Sequence, residues 1–269
     1  MTNPQPPVET DAPEPRAFAV DTHCHLFLME GDTAEVVRAA RRARVERLIC
    51  VGIDPVSSRR SLEMAESFRG VFATAGVHPH SASEFDRPAG SAIEELLADP
   101  LVVGVGETGL DYYRRLSSPD DQQRAFRTHI ALSRETGKPL VVHVRDAWDD
   151  ALRILAEEGA ERVVLHCFSG DEQVVREAAG RGYFLSFAGN LTYPGAGPLK
   201  AAATAAPEGQ VLVETDSPFL TPQATRGAPN SPANVVETAA ALASLRGLNL
   251  DAMVRLTAEA SFQAFPLLR

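Results

Sequence analysis

His23 and His25 stand two residues apart in the run Asp21-Thr22-His23-Cys24-His25. Side chains alternate along an extended chain, so the two imidazoles point the same way and can chelate one ion, with Thr22 and Cys24 facing elsewhere. A lone His-x-His pair is only moderately specific. It is followed here by Glu107, His143, His166 and Asp216, a carboxylate and imidazole set that suits Zn²⁺, Mn²⁺ and related ions. A strongly Mg²⁺-selective site would hold fewer imidazoles. The six residues are candidate ligands for two divalent ions (Zn²⁺, Mn²⁺ or Mg²⁺) that would activate water for hydrolysis. The competing reading makes Glu107 and Asp216 ion-pair or capping residues, which would leave four strand-end histidines without a purpose.

Something must bring these distant residues together. Short β-branched runs followed by helical patterns occur eight times, at 18–22, 47–52, 71–77, 101–107, 139–144, 162–167, 183–188 and 211–215. Helix starts are expected at Asp32 with Glu35, at Ser91 with Glu94 and at Ser118-Pro119, and helix stops at Gly137 and Gly159. Near-continuous apolar strands alternating with helices imply a parallel sheet covered on its outer face. Eight such units suggest a single (β/α)8 TIM barrel over residues 17–269. An open doubly wound sheet is the alternative, but no glycine-rich phosphate fingerprint follows the first strand. Six of the seven histidines (His23, His25, His78, His80, His143 and His166) fall in or just after the C-terminal end of a strand, the face on which such barrels build active sites. The seventh, His129, shares a helical face with Phe126, Ile130 and Ser133 and is expected to pack.

Composition narrows the classes. With 44% hydrophobic and 23% charged residues, the chain has the make-up of an ordinary globular protein, and its apolar runs are far too short for a membrane span. Residues 1–16 are proline-rich and acidic with no apolar core, so a disordered tail is expected there, without a signal peptide, and the location expected is cytoplasmic. Cys24, Cys50 and Cys167 are too few for a disulfide framework. Cys24 and Cys167 adjoin histidines, so metal binding competes with simple burial for them. A formal charge of −10 argues against coating nucleic acid duplexes, though not against gripping one phosphate or one strand end. Nothing points to an obligate protein partner.

Further motifs extend the pattern: Gly76-Val77-His78-Pro79-His80, Gly106-Glu107-Thr108-Gly109-Leu110-Asp111-Tyr112-Tyr113, Val142-His143-Val144-Arg145-Asp146-Ala147, Leu165-His166-Cys167-Phe168-Ser169-Gly170 and Glu214-Thr215-Asp216-Ser217-Pro218-Phe219-Leu220, then Arg226-Gly227 with Asn230 and Pro232. In this order they resemble the TatD-like metal-dependent deoxyribonucleases of the amidohydrolase barrel superfamily, from Val20 to about Pro232. The resemblance implies that His23, His25 and Asp216 hold one ion, that His143 and His166 hold the second, and that Glu107 bridges them. It also implies DNA as substrate, from a 3′ end and with single strands favoured. The chain departs from the family near its end, where Ala260, Gln263 and Ala264 stand in place of the usual Asn, Arg and the Leu of a closing Leu-Phe, with Phe265 retained, which puts the docking of the last helix in question.

On this reading Glu107 and Asp216 are the catalytic carboxylates, with Asp216 taking the proton of the attacking water. His78, Arg145 and Arg226 lie in loops on the active face and are the candidates for holding phosphate, since a guanidinium fork matches it. Pairing with Asp146 competes for Arg145, and capping or packing competes for His80. Asn190 and Tyr113 could line the pocket. Only 6% of residues are aromatic, so base stacking would rest on a few such as Tyr112, Tyr113, Phe168 and Phe187. Two other readings stay open: an esterase or amidase using the same ions, for instance on aminoacyl-tRNA or a small cyclic amide, and a noncatalytic metal-binding scaffold.

Overall fold

The structure, a computed structural model, describes residues 17–269, so the tail expected over 1–16 lies outside the described residues. Eight parallel strands run in sequence order: β1 (Ala19–Cys24), β2 (Val45–Val51), β3 (Val71–Ala75), β4 (Val102–Asp111), β5 (Leu140–Arg145), β6 (Val163–Leu165), β7 (Phe184–Phe187) and β8 (Val211–Val213). A parallel bridge between Cys24 and Ser217 closes the ring. It is backed by bonds from His25 N–H to the Ser217 carbonyl (2.8 Å) and from Asp216 N–H to the His23 carbonyl (2.9 Å). Closure therefore sets residues 23–25 directly beside 216.

Helices cover the outside: α1 (Thr33–Arg42), α2 (Pro55–Ser67), α3 (Arg87–Leu97), α4 (Pro119–Thr136), α5 (Trp148–Glu157), α6 (Glu172–Gly180), α7 (Gly197–Ala205), α8 (Val235–Arg246) and α9 (Leu250–Ala264). Among the described residues no helix is long and apolar enough to cross a membrane. Asp32 caps α1 through the Ala34 N–H, but Glu35 does not complete a capping box; it pairs with Arg38 and Arg42. Ser91 is not a cap at all. Asp86 accepts from Ala89 N–H and Pro88 sits in the first turn, so α3 has begun a turn before Ser91. Ser118 caps α4 as expected, and Gly137 ends it in the left-handed region at φ 67°.

β4 runs four residues past its expected end at Glu107. Two glycines, Gly106 and Gly109, are what let it continue. A Cβ on Gly109 would sit 2.1 Å from the His143 carbonyl oxygen, and Gly106 and Gly109 adopt φ of 135° and 134°. Only glycine combines that conformation with so close an approach to β5.

The apolar interior has two layers. The larger lies between strands and helices. The smaller fills the barrel with Val20, Ile49, Val51, Val103, Val141, Val164 and Leu212, and its floor is Ala260, Ala264, Phe265 and Leu268. The helix whose docking the sequence put in question is thus seated, with small alanines letting it approach the strands. This plug closes the N-terminal end of the barrel and leaves the other end open for chemistry.

His129 packs as expected. It is fully buried, its Nδ1–H donates to the Ala125 carbonyl (2.7 Å), and its Nε2 accepts from Val77 N–H (3.0 Å), tying α4 to the end of β3. Burial pushes its pKa down to about 4. The unfolded chain then takes up this proton first as pH falls. The stabilisation is complete above about pH 6.5 and is lost toward pH 4, a difference of about 3 kcal/mol. Urea unfolding at pH 7 and pH 4.5 should show wild type losing more stability than His129→Gln; equal losses would remove His129 as the titrating group.

Candidate active site

At the open end, the six candidate ligands converge. The Nε2 atoms of His23 and His25 are 3.3 Å apart. Glu107 Oε2 lies 3.3 Å from His23 Nε2 and 3.9 Å from His25 Nε2, and Asp216 Oδ1 lies 3.8 and 3.5 Å from the same atoms. Ligands at bond lengths of about 2.0–2.1 Å around a tetrahedral ion are separated by about 3.3–3.4 Å, so this set has the spacing of a metal site. The other oxygen of Glu107, Oε1, faces a second group: His143 Nδ1 at 3.1 Å, His166 Nε2 at 3.3 Å and His78 Nε2 at 3.3 Å. One buried carboxylate thus addresses two sets of imidazoles.

Hydrogen bonds at the far nitrogen decide which imidazoles offer a lone pair, because a neutral ring has one donor and one acceptor. His25 Nδ1–H donates to the Val51 carbonyl (2.8 Å), so its Nε2 faces the centre as an acceptor, while His166 Nδ1 stands at ion-pair distance, 2.8 Å, from Glu214 Oε1 and turns its Nε2 toward Glu107. His143 Nε2 lies 3.4 Å from Asp111 Oδ2, which leaves its Nδ1 toward Glu107. His78 is reversed. Its Nδ1 accepts from His80 N–H (3.1 Å), so Nε2 carries the proton. His78 therefore presents a donor, although its ring stands among the ligands, and burial, pulling its pKa down to about 4, keeps it neutral.

The charges also fit divalent ions. His23 and His166 stack with centroids 3.6 Å apart and 19° between planes, a contact that disfavours two imidazolium charges. Burial and His166 together hold the pKa of His23 below its usual value. Burial opposes ionisation of Glu107, yet His166, His78 and His23 outweigh it and hold its carboxyl well below the usual range. For Asp216, burial is likewise outweighed, chiefly by His25. Two ionised carboxylates among converging lone pairs are satisfied by cations bound between them.

Two carboxylates missed in the sequence support the ring. Glu214 is buried, lies 2.8 Å from His166 Nδ1, and accepts from Cys167 N–H at 2.9 Å. Asp111 Oδ2 is shared by His143 and His80 (2.9 Å) while its Oδ1 accepts from Arg114 N–H (2.7 Å). His80 is thus a partner of Asp111. Asp21, also buried, accepts from Thr215 N–H (2.9 Å) and Thr215 Oγ1–H (2.6 Å) and anchors β1 to the segment bearing Asp216. Carboxylates that orient ligating histidines are worth roughly 10–100-fold in metal affinity or activity. Glu214→Gln should therefore weaken metal binding by about 10–100-fold in a calorimetric titration; an unchanged affinity would make the Glu214–His166 contact incidental.

Asp216 (φ 52°), Cys167 (φ 44°) and Asp146 (φ 52°) all hold left-handed backbone just beyond strand ends on this face. Such strain gathers where geometry is fixed for function. Neither cysteine beside a histidine joins the converging ligand atoms among the described residues, and Cys24 donates its thiol to the Ile49 carbonyl instead.

Above the histidines opens a cleft of about 450 Å³ whose wall includes Arg114 and Arg145. Arg145 does not pair with Asp146; its guanidinium stands 3.9 Å over the ring of Tyr113. Arg226 lies outside the cleft wall and stacks on Tyr193 at 4.2 Å, and Asn190 does not line the cleft. Arg114 had no distinguishing signal in the sequence. Of the stacking candidates, Phe168 and Phe187 are buried in the core, where they cannot meet a base, and the hydroxyl of Tyr112 is tied to Asp150; Tyr113 is exposed.

The profile of TatD related DNases matches residues 20–266. The metal-dependent hydrolase YabD of Bacillus subtilis, itself uncharacterized, is 38% identical over 249 residues, spanning 91% of this chain and 98% of that protein. The 3'-5' ssDNA/RNA exonuclease TatD of Klebsiella pneumoniae is 36% identical over 223 residues, 80% of this chain and 85% of its own length. Among solved structures, the TatD homologue YJJV of Escherichia coli superposes with a TM-score of 0.86 at 26% identity, covering 92% of this chain and 98% of that one. With its barrel, its converging histidines and carboxylates and these relatives, the chain belongs to the TatD-related DNase family of metal-dependent hydrolases.

Proposed function

We propose that this hydrolase cleaves phosphodiester bonds of DNA, working from the 3′ end of single strands with two divalent ions. The observation that carries the reading is Glu107, one buried carboxylate with an oxygen toward each of two imidazole groups. His23, His25 and Asp216 would hold one ion, His143 and His166 the other, and Glu107 both. Such ions supply Lewis acidity, acidifying water and drawing charge from phosphoryl oxygens.

The chain's own groups do the rest. His78 Nε2–H is a neutral donor aimed into the site, suited to a phosphoryl oxygen. Arg145 and Arg114 have no ion pair among the described residues and stand on the wall where a phosphate would enter. Arg226, farther out on Tyr193, would meet a neighbouring part of the strand. Asp216 is the proton acceptor, because its side chain is 15% exposed against 3% for Glu107 and so reaches water at the cleft floor. The substrate is carried over from the Klebsiella relative's name. The three free cysteines suit a reducing compartment and hence a cytoplasmic location.

The test is to incubate the metal-loaded protein with single-stranded DNA labelled at its 5′ end, and separately with an aminoacylated RNA. Stepwise shortening from the 3′ end with release of mononucleotides supports the reading. An intact strand, with a carboxylate freed from the ester, would overturn it in favour of acyl chemistry.

A further inference from the structure

Few large apolar side chains are exposed in the described structure, and several gather at one place. Leu28, Leu116 and Phe219 (41%, 66% and 52% exposed) all line the cleft that holds the histidines. A single exposed leucine needs no account, but apolar groups clustered round one charged cleft point to a ligand.

Phe219 is the most firmly presented of the three. Its N–H donates to the Asp216 carbonyl (2.8 Å), and its carbonyl accepts from the side-chain amide of Asn230. Asn230 is itself fully buried and donates also to the Thr215 carbonyl (3.0 Å). Leu220 follows in the left-handed region at φ 53°. The ring thus stands half open on a braced segment three residues beyond Asp216, with its centroid 6.2 Å from that of His25. An aromatic already held in place loses little freedom when another flat group lies on it.

The rest of the wall decides what that group is. Arg114 and Arg145 ask for an anion, and the three apolar side chains ask for a flat, unpaired apolar face joined to it. A nucleotide unites the two. We propose that Phe219, which shares the cleft wall with Leu28 and Leu116, is the platform on which the base of the terminal nucleotide stacks. The phosphodiester reading is its premise. A terminal base still paired is tied by its edge to the other strand and stacked on its inner neighbour, so swinging onto Phe219 favours strand ends whose last base is free.

The experiment compares two single strands, one with an ordinary 3′-terminal nucleotide and one whose last sugar lacks its base. Stacking of a base on an aromatic side chain is worth about ten-fold or more. The metal-loaded wild type should have a KM about ten-fold higher for the abasic end. In Phe219→Ala, and in Phe219→Leu, which keeps apolar bulk without a π face, that ratio should fall to about one; Phe219→Trp should restore it. A ratio left at wild-type value in Phe219→Ala, with turnover on both strands lowered alike, would overturn the platform and leave Phe219 a purely structural residue. Equal KM values for both ends in the wild type would overturn it too. Wild type that cleaves neither strand would instead overturn the phosphodiester reading, and the platform with it.

Discussion

On the two-ion proposal, Glu107→Ala should lose both ions and nearly all turnover. The side chain is buried, with one oxygen toward His23 and His25 and the other toward His143 and His166. Removing it leaves the histidines around a hole and takes away several kcal/mol of charge stabilisation, on the order of 10³-fold in kcat/KM or more. Glu107→Gln refines the expectation. An amide keeps the shape but replaces one acceptor oxygen by an NH2 donor, so at most one ion should be retained. Elemental analysis beside kcat/KM checks both variants, with far-ultraviolet circular dichroism to establish folding. Two ions and wild-type turnover in Glu107→Ala would mean that the bridge is elsewhere.

The second large effect is expected at Asp216. Asp216→Asn keeps volume and an oxygen for the metal site but cannot take a proton. Loss of a positioned base costs about 10²–10⁴-fold. The pKa of Asp216 is held below the usual carboxylate range, chiefly by His25 against the effect of burial. Asp216 is thus ionised and able to accept a proton wherever the histidines are neutral enough to hold the ions. kcat of wild type and Asp216→Asn, measured beside elemental analysis at neutral pH, should differ by that factor. A variant that bound its ions and kept full turnover would remove Asp216 from proton transfer.

The barrel and the converging histidines were legible because both rest on local patterns. Period-two alternation places His23 and His25 on one side of β1, and each strand is an apolar run of six or so residues followed by a helix start. What stayed hidden depends on contacts between strands. Nothing local distinguishes Glu214 from Asp216 two residues on, and only the fold lays it against His166. Asp111 escaped because the strand was expected to end at Glu107, whereas the missing side chains of Gly106 and Gly109 let β4 lie against β5 and carry Asp111 to His143. Phe168 and Phe187 looked available for stacking because aromatic content does not tell a strand's core face from its rim. Phe219 stood in a quoted motif without a role because its bracing comes from Asn230, a contact no local pattern shows. The tautomer of His78, which separates a donor from a ligand, is set by a backbone N–H two residues later and is visible only in three dimensions.

The most direct test of the central claim, that one carboxylate joins two metal positions into a single hydrolytic site, is a metal titration of the stripped protein, with cleavage of end-labelled single-stranded DNA followed at each step. Cleavage should be absent without metal, stay low through the first equivalent and rise to its plateau as the second binds. Full activity at one equivalent, or in the stripped protein itself, would contradict the account.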